Sequence, residues 1–332
     1  MRKDIIFLEN VESSIQKKVL KFVKQWNNND EWIEVSTSGS TGKPKKIKLK
    51  KTNIKASAKA TIKHFNLQAN QNILLAMSTD FIAGKMMVVR AIEGQLNLIV
   101  ASVQSNPLLT KLPCKIDFSA FVPMQVSAIL SNPLSKQNYE SITKVIIGGA
   151  PIAYQLEQEL QGLKNKTYAT FGMTETISHI ATRNLKNKDK YYNALPNVKF
   201  SQTKRQQLVI DAPYLLNQPL VTNDVVQLIN AQQFIWKGRL DNVINSGGVK
   251  LYPENIEKKI EKFFPNNRFY VTSKSDKILG QKLILKIETN QIFYTQKIKL
   301  SLKQVLSPYE IPKEIILVKQ FKETKTGKVI RE

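Results

Sequence analysis

Apolar positions recur at helical spacing between residues 12 and 27, where Ile15, Val19, Leu20, Phe22, Val23 and Trp26 fall on one face of a helix. Glu31–Val35 reads as a short strand. A Gly/Ser/Thr-rich stretch follows, and Ile47–Leu49 alternates like a second strand. Helical spacing returns from about Asn53 to His64. Strand-like runs at Ile73–Met77, Leu96–Val100, Ala120–Val122 and Val145–Ile147 then alternate with helical segments at Gly84–Glu93, Gln125–Ser131 and Ala153–Leu160. That alternation predicts an α/β chain with a mostly parallel sheet covered by helices. Residues 206–240 change character. Gln207–Ile210, Val225–Leu228 and Phe234–Trp236 are short strands between turns, predicting a small β-rich subdomain. From about residue 242 the pattern restarts: helix Pro253–Phe263, strands Phe269–Ser273 and Leu283–Ile287, helix Thr295–Leu306 and strand Glu314–Val318. The expectation is a large domain over residues 1–240 and a small α+β domain over 242–332, a size normal for a domain.

Composition narrows the chemistry. A single cysteine, Cys114, excludes an intrachain disulfide, and with only His64 and His179 beside it the common zinc clusters are excluded too. No apolar run is long enough to span a membrane and no secretory leader is legible at the N-terminus, so no membrane insertion and a cytoplasmic location are expected. The net charge of +24 arises from 50 basic and 26 acidic residues. Three readings stay open: a compositional habit, help in attracting small polyanions, and nucleic-acid binding. The basic residues are spread along the chain, and no aromatic-interleaved basic stripe offers a stacking platform, so no nucleic-acid partner is expected.

The sharpest local feature is Thr37-Ser38-Gly39-Ser40-Thr41-Gly42-Lys43-Pro44-Lys45, between two predicted strands. Glycines let backbone N–H groups approach a phosphate, hydroxyls add donors, and Lys43 and Lys45 add charge. It is not the phosphate loop of P-loop ATPases, since Ser38 stands where that loop needs glycine and Pro44 follows Lys43. A flexible polar turn is the plain alternative. The ordered string resembles the signature of the adenylate-forming superfamily, which includes acyl-CoA synthetases and nonribosomal-peptide adenylation domains. The resemblance implies that residues 37–45 handle the β- and γ-phosphates of ATP.

Other segments match the same pattern. Thr170-Phe171-Gly172-Met173-Thr174-Glu175 resembles the family's Tyr-Gly-x-Thr-Glu, with Phe171 in the tyrosine place. The resemblance implies Phe171 and Gly172 near adenine, Thr174 at the α-phosphate and Glu175 helping to hold Mg²⁺. Read alone, the segment is a turn entering a helix with Thr174 as cap. Gly148-Gly149-Ala150-Pro151 looks like the turn whose backbone lies along adenine, and equally suits a strand-to-helix turn. Asp224, in Thr222-Asn223-Asp224, and Arg239 resemble the two ribose-contacting positions, with Asn223 replacing the usual glycine. Asp241 falls at the family's hinge, which implies that the small domain is mobile. Gly247 and Gly248 would line the approach of the CoA thiol. Lys328, in Lys325-Thr326-Gly327-Lys328, matches the lysine that contacts the carboxylate and the α-phosphate during adenylation. ATP and CoA are thus the expected co-substrates and Mg²⁺ the expected ion, with Lys328 and Thr174 as catalytic residues.

The acid is read from three features. Phe118–Gln125 resembles a Ser-x-Val-Pro-Thr-Gln stretch of the o-succinylbenzoate–CoA ligase family of menaquinone synthesis. In that family an arginine six residues after a glycine faces the aromatic carboxylate, and Gly84 and Arg90 reproduce the spacing. A surface arginine on an amphipathic helix is the plain alternative for Arg90. Only 36 residues precede Thr37, so the resemblance implies an abbreviated large domain, consistent with a short form of that ligase. The expected substrate is 2-succinylbenzoate. The alternatives are another aryl- or acyl-CoA ligase and, from a different class, a non-catalytic nucleotide- or nucleic-acid-binding protein. Homo-oligomerisation stays open.

Overall fold

The computed structural model describes residues 5–37, 45–265, 267–290, 295–323 and 329–331. Its centre is a run of short, largely apolar strands: β1 (Ile5–Phe7), β4 (Asn72–Leu75), β5 (Asn97–Val100), β6 (Phe118–Phe121) and β7 (Lys144–Ile147), followed by β8 (Lys166–Gly172). Preceding them in part are β2 (Trp32–Thr37) and β3 (Lys45–Lys50), which among the described residues pair only with each other. The central strands lie parallel in the order β1-β5-β4-β6-β7-β8. Parallel strands need crossovers, and the crossovers place helices on both faces.

Strand alternation shows how both faces are filled. Ile73 and Leu75 point into one apolar cluster and Leu74 into the other; Leu98 and Val100 likewise oppose Ile99. On the first face pack α1 (Ser13–Trp26) through Val19 and Phe22, α2 (Lys51–His64) through Ile54 and Ala58, and α3 (Ile82–Gly94). On the second face lie α4 (Pro123–Leu130), α5 (Pro133–Ser141) and α6 (Tyr154–Gln161), through residues such as Val126, Tyr139 and Leu160. Helix α3 is buried on every side from Gly84 to Ala91, Lys85 and Arg90 included. A helix apolar nearly all round is a buried one.

Beyond β8 the same sheet continues antiparallel through β9 (His179–Asn184), β10 (Tyr192–Ala194), β14 (Gln233–Arg239), β13 (Leu220–Asn230), β12 (Gln207–Asp211) and β11 (Lys199–Gln202), giving twelve strands among the described residues. The β-rich stretch expected over 206–240 is present, and it forms the antiparallel edge of this one sheet. A second sheet begins at β15 (Ile244–Ser246) and contains β16 (Val249–Leu251), β17 (Phe269–Asp276), β18 (Gly280–Glu288) and β19 (Glu314–Val318). With α7 (Pro253–Ile260) and α8 (Thr295–Leu302) it has its own apolar cluster, built on Ile256, Leu285 and Leu302.

Gln125 shows why α4 starts where it does. Its side-chain oxygen accepts from Val122 N at 3.2 Å, and its amide donates to Ala76 O at 2.9 Å and Gln104 O at 3.1 Å. One buried amide thus ties the helix start to the end of β4 and to the segment after β5. Gln125→Ala strands these buried groups, and urea denaturation is expected to show a loss of about 2–4 kcal/mol. A loss under about 0.5 kcal/mol would mean that water takes over the three bonds.

Candidate active site

The parallel strands end at a cavity of about 310 Å³. Open α/β sheets place ligand crevices at the carboxyl ends of their strands. One wall is α3, through Met86 and Arg90; a second is the β6–α4 junction, through Ala120 and Val122. Gly148 and Gly149 at the end of β7 form a third. The β8–β9 turn closes the cavity with Thr174, Ile177 and His179.

The glycines are set by close approach. A Cβ on Gly148 would stand 2.3 Å from Thr170 Oγ1, which itself donates to Ile147 O at 3.0 Å. A Cβ on Gly172 would meet Ser178 O at 2.4 Å, closing the turn from Gly172 to His179. That turn is held internally by Thr176, whose hydroxyl accepts from Met173 N at 3.0 Å and lies 2.9 Å from Ser178 O. Ser178 Oγ meets Ser57 Oγ of α2 at 2.7 Å. Ile177 sits in this turn at φ 65°, a left-handed conformation rare for a β-branched side chain. Such strain persists only where its surroundings enforce it, and it gathers at ligand sites. The turn enters strand β9, so Thr174 does not cap a helix.

The electrostatics of the cavity are dominated by Arg90. The residue is 2% exposed, and one guanidinium nitrogen, Nη1, lies 3.4 Å from Met87 Sδ. Among the described residues Nε has no partner and no carboxylate pairs with the group. Burial lowers its pKa to about 9. His179 is buried beside the same cavity, and its Nε2 also lacks a partner. The burial of Arg90 removes the surface-arginine alternative. Sequence reasoning did not single out His179. Its signal was there: it opens Ile180-Ala181-Thr182, a strand buried on both faces, so a histidine at its start is enclosed whichever way it points.

The remaining expected site residues fall around this centre. Gly148, Gly149, Gly172 and Thr174 line the cavity. Ala150 follows them as an exposed turn residue. Phe171 is half-buried and packs in an aromatic cluster, with ring centroids 5.1 Å from Phe234 and 5.8 Å from Tyr192. Glu175 is exposed on the turn. No cluster of three or more metal-ligating side chains occurs among the described residues. Mg²⁺ does not need one, because it is commonly held by one or two carboxylates together with phosphate oxygens and water. An exposed carboxylate next to Thr174 suits that role, and the ion would supply charge neutralisation to phosphate oxygens.

Asp224 and Arg239 are brought together as cross-strand partners on β13 and β14. Arg239 Nη1 lies 3.3 Å from Asp224 Oδ2, and Trp236 Nε1 donates to Asp224 Oδ1 at 2.9 Å. Asn223 donates to Asp241, which sits exposed in a single helical turn, Leu240–Asn242, between the two sheets. Gly247 and Gly248, at φ 59° and 81°, form the two-residue turn of the β15–β16 hairpin. Ser38, Gly39, Ser40, Thr41, Gly42 and Lys43 lie outside the described residues, as does Lys328, and the side chains of Thr37 and Lys45 are likewise not described. The backbone positions Thr37 and Lys45 are the last pair of the β2–β3 ladder, so residues 38–44 connect these two antiparallel strands in sequence.

The chain as a whole is similar to known proteins. The family model described as AMP-binding enzyme matches residues 10–201. The 2-succinylbenzoate–CoA ligase of Staphylococcus epidermidis is 26% identical over 322 residues, covering 89% of this chain and 68% of that protein. An acyl-CoA synthetase (AMP-forming)/AMP-acid ligase II-like protein from Dyadobacter fermentans, known by crystal structure, is 33% identical with a TM-score of 0.68; the match covers 97% of this chain and 94% of that one. The o-succinylbenzoate CoA synthetase of Bacillus subtilis, solved with the acyl-adenylate intermediate OSB-AMP, shares the fold at a TM-score of 0.75 and 18% identity, covering 89% of this chain and 67% of that one. No helix among the described residues is long and apolar enough to cross a membrane.

Proposed function

We propose that this chain, which belongs to the AMP-binding enzyme family, ligates 2-succinylbenzoate to CoA through an acyl-adenylate, releasing AMP and pyrophosphate. The family and its 2-succinylbenzoate–CoA ligase relatives support an AMP-forming acid–thiol ligase. The acid is argued from one observation: Arg90, a cation without an ion-pair partner among the described residues, is buried in the wall of the cavity. A buried charge is costly until it is paired. A dicarboxylic acid answers that need, because one carboxylate reacts while the other meets the guanidinium in a bidentate pair.

In the first half-reaction the acid carboxylate attacks the α-phosphorus of ATP and pyrophosphate leaves. Thr174 lies at the cavity edge to donate to the α-phosphate, and Lys328 offsets the repulsion between the two anions. Residues 37–45 hold the departing phosphates. In the second, the CoA sulfur attacks the acyl carbonyl and AMP leaves. We place the boundary between a large domain (1–240) and a small one (242–332) at Asp241, with a hinge rotation there removing Lys328 and opening the thiol path past Gly247 and Gly248.

AMP formation with ATP, CoA and 2-succinylbenzoate, set against a panel of other aryl and acyl acids, tests the substrate. Preferred turnover of a different acid overturns the assignment of 2-succinylbenzoate and leaves the ligase chemistry standing. Lys328→Ala tests the division of labour. Adenylate formation is expected to fall about a hundredfold, while thioester formation from supplied acyl-adenylate stays within a few-fold. Equal loss of both half-reactions removes Lys328 from the role.

A further inference from the structure

Two buried polar atoms beside the cavity, Arg90 Nε and His179 Nε2, have no partner among the described residues. The proposed function uses the first and leaves the second unexplained. His179 is 7% exposed and opens β9 at the end of the turn that carries Thr174. The groups around it come from three elements. His64 of α2 has its own Nε2 2.9 Å from Thr182 Oγ1; the Phe65 ring lies with its centroid 6.4 Å from that of His179; and Arg90 approaches from α3. Burial first, then Arg90, then His64 hold the His179 imidazole well below its ordinary pKa, which favours the neutral ring. A neutral imidazole offers one N–H donor and carries no charge to repel Arg90. An orphaned buried polar atom in a native site calls for an explanation, and with the proton on Nε2 a ligand acceptor supplies one.

We propose that His179 is a specificity-determining residue, which joins Arg90 in a two-donor clamp on the distal, non-reacting anionic group of the acid. The proposal rests on the reading that the acid occupies this cavity, and it assigns a second donor that the reading did not contain. The two side chains divide the work. Arg90 supplies charge, and His179 supplies direction from a second element, the start of β9. A carboxylate has about four lone-pair sites, enough for both partners. An acid without the distal anion leaves both donors unpaired, and sites with stranded polar groups reject such analogues strongly.

The test compares 2-succinylbenzoate with 4-phenyl-4-oxobutanoate, which keeps the reacting chain and lacks the ring carboxylate. His179→Leu is expected to raise KM for the dicarboxylate roughly tenfold or more. KM for ATP and for the monoacid should stay within about twofold. His179→Gln, which restores a donor, should recover most of the loss. An unchanged dicarboxylate KM in His179→Leu overturns the proposal, and so does a parallel rise for both acids and ATP. Where His179→Leu does not fold, imidazole nitrogen NMR on the wild-type protein decides. Resonances of His179 should move on addition of 2-succinylbenzoate and not of the monoacid, and equal responses overturn the clamp. If the wild-type protein makes no AMP from 2-succinylbenzoate, the substrate assignment fails by itself. The clamp is then judged on the acid that is turned over. It stands if removing that acid's distal anion and removing His179 raise KM non-additively, and falls if the acid carries no distal anion.

Discussion

Arg90→Met is expected to lower kcat/KM for 2-succinylbenzoate by about 10²- to 10³-fold and, at the same time, to make the folded chain more stable. The two effects share one cause. In the cavity wall the guanidinium has left water and, among the described residues, has gained a sulfur contact to Met87 in return. Replacing a buried, uncompensated charge with an apolar side chain of similar length removes that desolvation cost, which in comparable cases is worth about 1–4 kcal/mol. The bidentate partner for the acid is lost with it. KM for ATP should hardly change, because Arg90 lies on α3, whereas the Asp224–Arg239 pair lies on β13 and β14. Thermal unfolding and steady-state kinetics on the same sample check the prediction. A variant that is both less stable and unaltered in its KM for the acid would show that Arg90 has a structural partner and no substrate. Activity paid for in stability is the usual bargain of a binding site.

The unpaired state of Arg90 was not legible in the sequence, although its presence on a helix was. Helical spacing over Gly84–Glu93 marked α3, but apolar residues on several of its faces left open which side Arg90 took; only packing on α1, α2 and the sheet encloses all sides at once. The central strands were legible because their apolar runs are continuous, as burial on both faces requires. β8 and β9 were not. Thr167, Thr170, His179, Thr182 and Arg183 interrupt the apolar pattern; the threonine hydroxyls and the Arg183 charge are satisfied by neighbours distant in sequence, such as Tyr139 and Glu157, while His179 Nε2 is not. The motif residues present the reverse case. Asp224 and Arg239 could be named from a family resemblance alone, yet their antiparallel pairing places them face to face only because β13 and β14 fold as a hairpin. The extension of the main sheet through the β-rich stretch depends on β10 joining β9 to β14, and a strand of three residues leaves almost no periodic signal.

Glu157→Ala is expected to cost about 3–5 kcal/mol of stability, the largest loss from any single site described. Glu157 is buried on α6, where Arg183 of β9 grips it with two parallel bonds of 2.7 and 2.9 Å. Arg183 is buried as well, so removing the carboxylate leaves a second uncompensated cation inside the protein. Lys258 of α7 adds a bond of 3.0 Å to Glu157 Oε2, and Glu261, just past that helix, accepts from Tyr154 N at 2.6 Å. The five-stranded unit therefore docks on α6 through the same carboxylate that neutralises Arg183. Lys258 is half-exposed, so its share is small, about 0.5 kcal/mol, and Lys258→Ala alone should loosen the docking without unfolding the main sheet. The pH dependence has a definite sign. Burial pushes the pKa of Glu157 up, but Arg183 and then Lys258 outweigh it and leave the group below its ordinary carboxylate value. A depressed folded-state pKa means that the stabilisation is complete above the unfolded value and is lost as pH falls through the folded one. The stability gap between wild type and Glu157→Gln should thus be full at neutral pH and narrow only in acid, below the ordinary carboxylate range. A gap that stays constant through that acid range would mean that Glu157 contributes by shape and hydrogen bonding, without its charge.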